Sequence, residues 1–337
     1  MASPLITVIV TAHNRRKYIK RALDSVRSQT LSRDKYEVLV VSNFEDKYEG
    51  LNNLRWIHTE EEGLGAKIAI GLEEAKGDIV SILEDDDLWL PDKLRLVRNY
   101  FRSEKQLVYL HNNLVFIDDD LILLPRSLQR ITYRCARDFR AGPAMKGLTI
   151  SNINWALSCL FFNNSSMTFR KDLILNDGNL LRVMKKMPGA NGIDHLLAVY
   201  LVNAGRALHI SNVLTLYNVH YSTYWANPER LRTRDPLLEL IKMGHENCAE
   251  AMVYEFIKET AEEVGAKRLL TLLLAEHAPI CDAIRTLYGK RRRWLPISTL
   301  NTYGVIAVNP KRAMANLLAV LWPRFAIRLL LAYKNKA

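Results

Sequence analysis

Residues 78–91 read DIVSILEDDDLWLP, and this stretch decides the fold class. Asp78 to Leu83 is a short apolar run that predicts a strand buried on both faces. It leads directly into four carboxylates, Glu84, Asp85, Asp86 and Asp87. Pro91 then suits the first position of a helix expected through Tyr100.

Upstream, Leu5 to Thr11 (LITVIVT) is a second buried strand. Asn14 offers a helix cap, and Tyr18, Ile19, Ala22, Leu23 and Val26 recur at helical spacing among basic residues. Glu37 to Ser42 predicts another strand, Leu54 to His58 a short one, and Gly63 to Ala75 a helix stopped by Gly77. The order strand, helix, strand, strand, helix, strand is that of an α/β protein with a Rossmann-like sheet flanked by helices. Downstream, strands are expected at Leu107–Ile117, Leu121–Leu124, Phe161–Phe169 and Val213–His220, with a helix over Asp194–Ala204. After Pro228 the pattern becomes helical.

Ligands of such sheets sit outside the carboxyl ends of the strands, where Glu84–Asp87 falls. Four adjacent carboxylates repel one another there unless a cation is present. A hard divalent ion with oxygen ligands, Mg²⁺ or Mn²⁺, suits them, with a diphosphate completing the shell. Asp118–Asp120, between strand pieces, is expected to be a solvated turn. Trp89 is expected to pack beneath the acidic loop.

Five segments, in order, resemble the family 2 glycosyltransferases of the GT-A fold. They are TVIVTAHNRRKYIKRALDSVRSQTL, AKGDIVSILEDDDLWLPDKL, NNSSMTFRKDLI, GIDHLLAVYLVNAGR and TLYNVHYSTYW, which together span about residues 5–225. The resemblance implies metal-dependent, inverting transfer of a sugar, of hexosyltransferase type. The donor is a nucleotide diphosphate sugar and the acceptor a glycan or polyprenyl-lipid-linked molecule. By position, Glu84 and Asp86 fall on the outer acids of the D-x-D motif, with Asp87 following. His220 falls on a further metal ligand, and Asp194 on the catalytic base. Thr11, Ala12, His13, Asn14, Asn43, Lys67, Asp85 and Asp86 fall on the nucleotide-sugar site. Ser42-Asn43-Phe44-Glu45 stands where the family usually has D-D-G-S, and Ile193 replaces the Glu before the base. For Asp194, a first-turn acid favoured by the helix dipole is the plain structural alternative; Asp177 is a nearby alternative base.

The implied layout is a catalytic domain over 1–225, with nucleotide-sugar binding in 1–118 and the acceptor side in 119–225. A helical region over 226–337 follows. The chain has 337 residues, 49% hydrophobic and 25% charged, which excludes disordered and collagen-like classes. Cys135, Cys159, Cys248 and Cys281 show no metal-finger spacing and read as buried free thiols. No run approaches the roughly 20 apolar residues of a membrane span, and Leu5–Val10 is too short for a signal core.

The net charge is +11, and its position is informative. No acid follows Asp282, whereas 11 of the 47 Lys and Arg residues do. Lys290–Arg293 and an amphipathic pattern over Lys311–Tyr333 suggest an anionic membrane partner for the tail. The expected location is cytoplasmic, peripheral at the inner face of the cell membrane. A homo-oligomer is compatible with this, and no nucleic acid is expected. Two other classes stay open. One is a nucleotidyltransferase, although His13-Asn14-Arg15-Arg16 is not its Gly-rich loop; the other is a non-enzymatic membrane- or nucleic-acid-binding protein.

Overall fold

The computed structural model describes residues 6–126, 129–142, 159–160, 162–187, 193–220 and Trp322. The expected helices after Pro228, Lys290–Arg293 and the amphipathic Lys311–Tyr333 pattern lie outside the described residues, Trp322 excepted. All other described residues belong to one compact unit, Met1–Gly147 with Asn154–Thr223.

In that unit β1 (Ile6–Thr11), β2 (Tyr36–Ser42), β3 (Leu54–His58) and β4 (Ile79–Glu84) are mutually parallel, in the order β3-β2-β1-β4. The sheet continues through β8 (Met167–Arg170), β6 (Leu107–Ile117), β9 (Arg206–Asn218) and the two-residue β5 (Leu88–Trp89). A short β7 (Phe139–Ala141) also pairs with β9. β8 is antiparallel to both β4 and β6, so the sheet is mixed. Strands with the buried pattern of β1 and β4 need covering on both faces.

On one face, α1 (Arg16–Arg27) and α3 (Lys93–Ser103) cover Val8, Val10 and Val40 with Leu23, Val26, Leu94 and Phe101. On the other lies α2 (Leu64–Glu74), close against β1: a Cβ at Gly71 would stand 2.7 Å from Ile9. Beyond these lie α4 (Arg130–Arg134), α5 (Lys171–Leu175), α6 (Gly178–Lys186) and α7 (Ile193–Ala204).

Several expectations are corrected. Asn14 does not cap α1. It takes a left-handed φ of 56°, which Asn tolerates, and the helix starts after it. α3 begins two residues after Pro91. Leu121–Leu124 is not a strand: it makes a single bridge, Ile117 to Leu123, because Leu121 takes a left-handed φ of 64° that breaks the extended backbone. Asn163 has φ 80° and Asn164–Ser166 is a 3₁₀ turn, so only Met167–Arg170 remains strand.

Cys135 and Cys159 are not free thiols; they form a disulfide across 24 residues. They are 3% and 0% exposed, which shields the bond from attacking thiols. Closing a loop of that length constrains the unfolded chain by about 3 kcal/mol. Replacing both cysteines with Ser should lower unfolding stability by about that amount in a denaturant titration.

Candidate active site

The carboxyl ends of β1, β2 and β4 meet at one edge, where Thr11 pairs with Val41 and Glu84. The Asp85 N–H continues the ladder to Thr11 O at 3.1 Å, so the acidic loop leaves the sheet beside the β1 terminus. Next to it, Asn14 and Asn43 bind reciprocally: Asn43 Nδ2 donates to Asn14 Oδ1 at 2.6 Å, and the Asn14 N–H donates to Asn43 Oδ1 at 3.0 Å. Lys67, 2% exposed, donates to the carbonyls of Glu61 and Glu62 and stands 3.3 Å from His13 Nδ1. Burial lowers the pKa of Lys67. Burial, reinforced by Lys67, lowers that of His13.

The four acids do not form one shell. Asp86 accepts from Arg15 at 2.5 Å and from His220 Nε2 at 2.8 Å. Asp85 is paired with the other arm of Arg15. Glu84 accepts from Asn164 Nδ2 at 3.0 Å. Asp87 accepts from Asn163 Nδ2 at 2.7 Å and from the Asn218 N–H at 3.0 Å. Among the described residues no three His, Cys, Asp or Glu side chains are grouped as a metal shell. Of the expected metal set, Asp86 and His220 meet, while Glu84 and Asp87 are held by Asn164 and Asn163.

Burial, then repulsion from Asp86, pushes Glu84 up to about 7 and Asp85 up to about 8. The same causes raise Asp87. Burial also opposes Asp86, but the His220 hydrogen bond and the Arg15 guanidinium outweigh it and hold its pKa low.

Asn163, Asn164 and Ser165 are the counterpart of this loop. Ser165 Oγ accepts the Glu84 N–H at 3.0 Å, and its carbonyl accepts from Trp89 Nε1 at 2.8 Å and Lys93 Nζ at 2.7 Å. Trp89 is buried as expected. Lys93 is fully buried, also donates to Asn112 Oδ1 at 2.6 Å, and lies within electrostatic reach of Asp87. Lys93→Met should therefore cost about 2 kcal/mol of stability in urea, since it strands the buried Asn112 Oδ1 acceptor, whereas Ser165 O keeps its Trp89 donor.

Asp194 sits in the first turn of α7, partly buried, and its charge acts on Glu84 and Tyr217. His195's side chain is not among the described residues. Asp177 accepts the N–H groups of Asn179 and Leu180 and caps α6.

The sequence reading missed four residues. Arg15 spans two of the acids, and Lys93 lies behind them. Tyr18 stacks on His220 with ring centroids 5.0 Å apart. Asp119 accepts from Lys17 at 2.9 Å, Tyr18 OH at 3.1 Å and Asn218 Nδ2 at 3.0 Å, so Asp118–Asp120 is not a merely solvated turn. An acidic turn paired with basic α1 was a signal for this last clamp; the buried Lys93 had none.

Residues 7–112, strand β1 through the middle of β6, match the sequence profile described as Glycosyl transferase family 2. This segment is a family 2 glycosyl transferase domain. The domain is 34% identical over 95 residues to the glycosyltransferase AglE of Haloferax volcanii, covering 25% of this chain and 31% of AglE. It is 29% identical over 117 residues to EpsH of Bacillus subtilis, covering 32% of this chain and 33% of EpsH. The match thus spans about a third of these relatives' length. In structure, the chain resembles S. aureus TarS with a TM-score of 0.50 at 16% identity, over 96% of this chain and 53% of TarS. That likeness concerns the fold, the GT-A type that the sequence resemblance implied. No described helix is long and apolar enough to cross a membrane.

Proposed function

We propose that the chain is a metal-dependent inverting glycosyltransferase, moving a hexosyl group from a nucleotide diphosphate sugar to a glycan or lipid-linked acceptor. One observation carries this reading: Asp86, in the acidic loop after β4 of the family 2 segment, and His220, just beyond β9, meet at 2.8 Å. The pair lies on the same side of the sheet as the strand-end residues Thr11, Ala12, His13, Asn14, Asn43 and Lys67, which we assign to the nucleotide sugar.

The donor set fits a hard divalent ion, Mn²⁺ or Mg²⁺. Asp85 Oδ2, Thr11 Oγ1 and Asn164 Oδ1 are buried without a hydrogen-bond partner, as expected of a polar site built for a ligand. Asp86 and His220 would hold the ion, and diphosphate oxygens suit the remaining positions. When bound, the ion would neutralise the charge developing on the departing nucleotide.

The protein's own groups do the rest. Glu84, fixed by Asn164, and Asp87, fixed by Asn163, set the direction of the loop. Arg15 pairs with both Asp85 and Asp86, offsets part of their repulsion, and presents a cation at the diphosphate position. Asp194 takes the acceptor hydroxyl proton as the oxygen attacks. The Asn14–Asn43 pair replaces a family carboxylate and offers the nucleobase both a donor and an acceptor.

The proposed layout keeps 1–225 catalytic and 226–337 as a helical region whose basic end meets the cytoplasmic membrane face. Hydrolysis of a panel of nucleotide sugars with and without Mn²⁺ tests the reading; no metal-stimulated hydrolysis of any donor refutes it. Asp119→Ala should raise the Mn²⁺ concentration needed for half-maximal turnover by about tenfold, because it loosens Tyr18 and Asn218 around His220. A metal titration of activity checks this.

A further inference from the structure

The exposed large hydrophobic residues among those described are Leu121, Ile122, Leu123, Tyr133 and Trp322. Three are consecutive, at 48%, 62% and 62% exposure, and occupy the turn after β6. Scattered exposed aliphatics need no explanation, but a contiguous run does. Leu121 also holds a left-handed φ of 64°, an uncommon and costly conformation for a branched side chain.

The turn is firmly held. Asp118 Oδ1 accepts the N–H groups of Asp120 and Ile122, at 3.0 and 2.9 Å. The Leu124 N–H donates to Phe116 O at 3.0 Å, and Asp119 is clamped to α1 by Lys17. The apolar tip is therefore presented by a built support.

We propose that this tip docks the family 2 domain onto an anionic phospholipid surface. Leu121, Ile122 and Leu123 would enter the headgroup boundary, and Tyr133 would lie beside them with Arg126 over its ring at 4.9 Å. Aromatic rings and cations are both suited to the membrane–water boundary. The turn's three carboxylates, Asp118, Asp119 and Asp120, would oppose an anionic surface. Asp119 is paired with Lys17 and Arg21, Asp118 is spent on backbone N–H groups, and Arg126 adds a further cation. The four side chains expose far less than the roughly 800 Å² that each partner of a stable protein dimer covers, which favours a lipid surface over a second copy.

The surface lies beside the candidate site, since Asp119 also binds Asn218 and Tyr18, and Tyr18 stacks on His220. It is separate from the basic tail and does not depend on glycosyl transfer.

The test uses the full chain with Cys248→Ser, Cys281→Ser and Ile122→Cys, labelled at the introduced thiol with an environment-sensitive nitrobenzoxadiazole probe. Vesicles of phosphatidylcholine with phosphatidylglycerol should brighten the probe and shift it to the blue at low salt. Phosphatidylcholine alone, or roughly 0.5 M salt, should give much less. In the unlabelled chain, Leu121→Asn with Ile122→Ser and Leu123→Ser should weaken vesicle partition by about tenfold or more while thermal melting is unchanged. An unchanged probe on a chain that sediments with vesicles would assign binding to another segment and overturn the proposal. Blue emission before vesicles are added would show the tip already covered by protein, and would overturn it as well. So would wild-type partition by the triple variant.

Discussion

Asp86→Ala should abolish metal-dependent donor turnover, by roughly 10³-fold or more, the scale of losing a principal charge-stabilising group. Asp86 lies in the loop that follows the buried β4 strand, accepts from both His220 and Arg15, and is the carboxylate of the loop held below its usual pKa. Removing it leaves His220 Nε2 and one arm of Arg15 facing each other without their shared anion. Turnover and nucleotide binding should therefore both lose their response to Mn²⁺, as measured by hydrolysis and by calorimetric titration of the nucleotide. Asp87→Asn gives the contrast. Asp87 is spent on Asn163 and the Asn218 backbone, so its amide should keep metal-stimulated binding while lowering thermal stability. Full metal dependence in Asp86→Ala would remove Asp86 from the site.

The parallel half of the sheet could be read from residues because β1, β2 and β4 are continuous apolar runs. Burial on both faces leaves that mark and little else. β5 could not, since two residues carry no period, and it exists only because β9 lies alongside. The position of the acids was also plain, but their division of labour was not. Four adjacent carboxylates look alike in sequence; they separate only when Asn163, Asn164, Arg15 and His220 arrive from elsewhere in the chain. Lys93 lies on an amphipathic helix and resembles any solvent-facing lysine until Ser165 and Asn112 are placed over it. The disulfide was hidden for a similar reason. Cys135 and Cys159 have no diagnostic spacing, and they meet through the fold around β6 and β9.

Asp194→Asn should keep donor and metal binding yet slow sugar transfer by about 10²-fold or more, the range of a lost general base. Asp194 stands in the first turn of α7. It is close enough to the acidic loop for its charge to raise Glu84. A residue that serves only the helix would behave differently: an amide there costs at most about 1 kcal/mol of stability and leaves transfer nearly unchanged. Measuring donor affinity, thermal stability and transfer together separates the two roles. Loss of transfer with unchanged donor affinity and melting assigns the proton to Asp194. Near wild-type transfer would move the base elsewhere, and Asp177 would be a poor replacement. Its carboxylate already accepts the Asn179 and Leu180 N–H groups at 3.1 and 2.9 Å, which holds it at the start of α6.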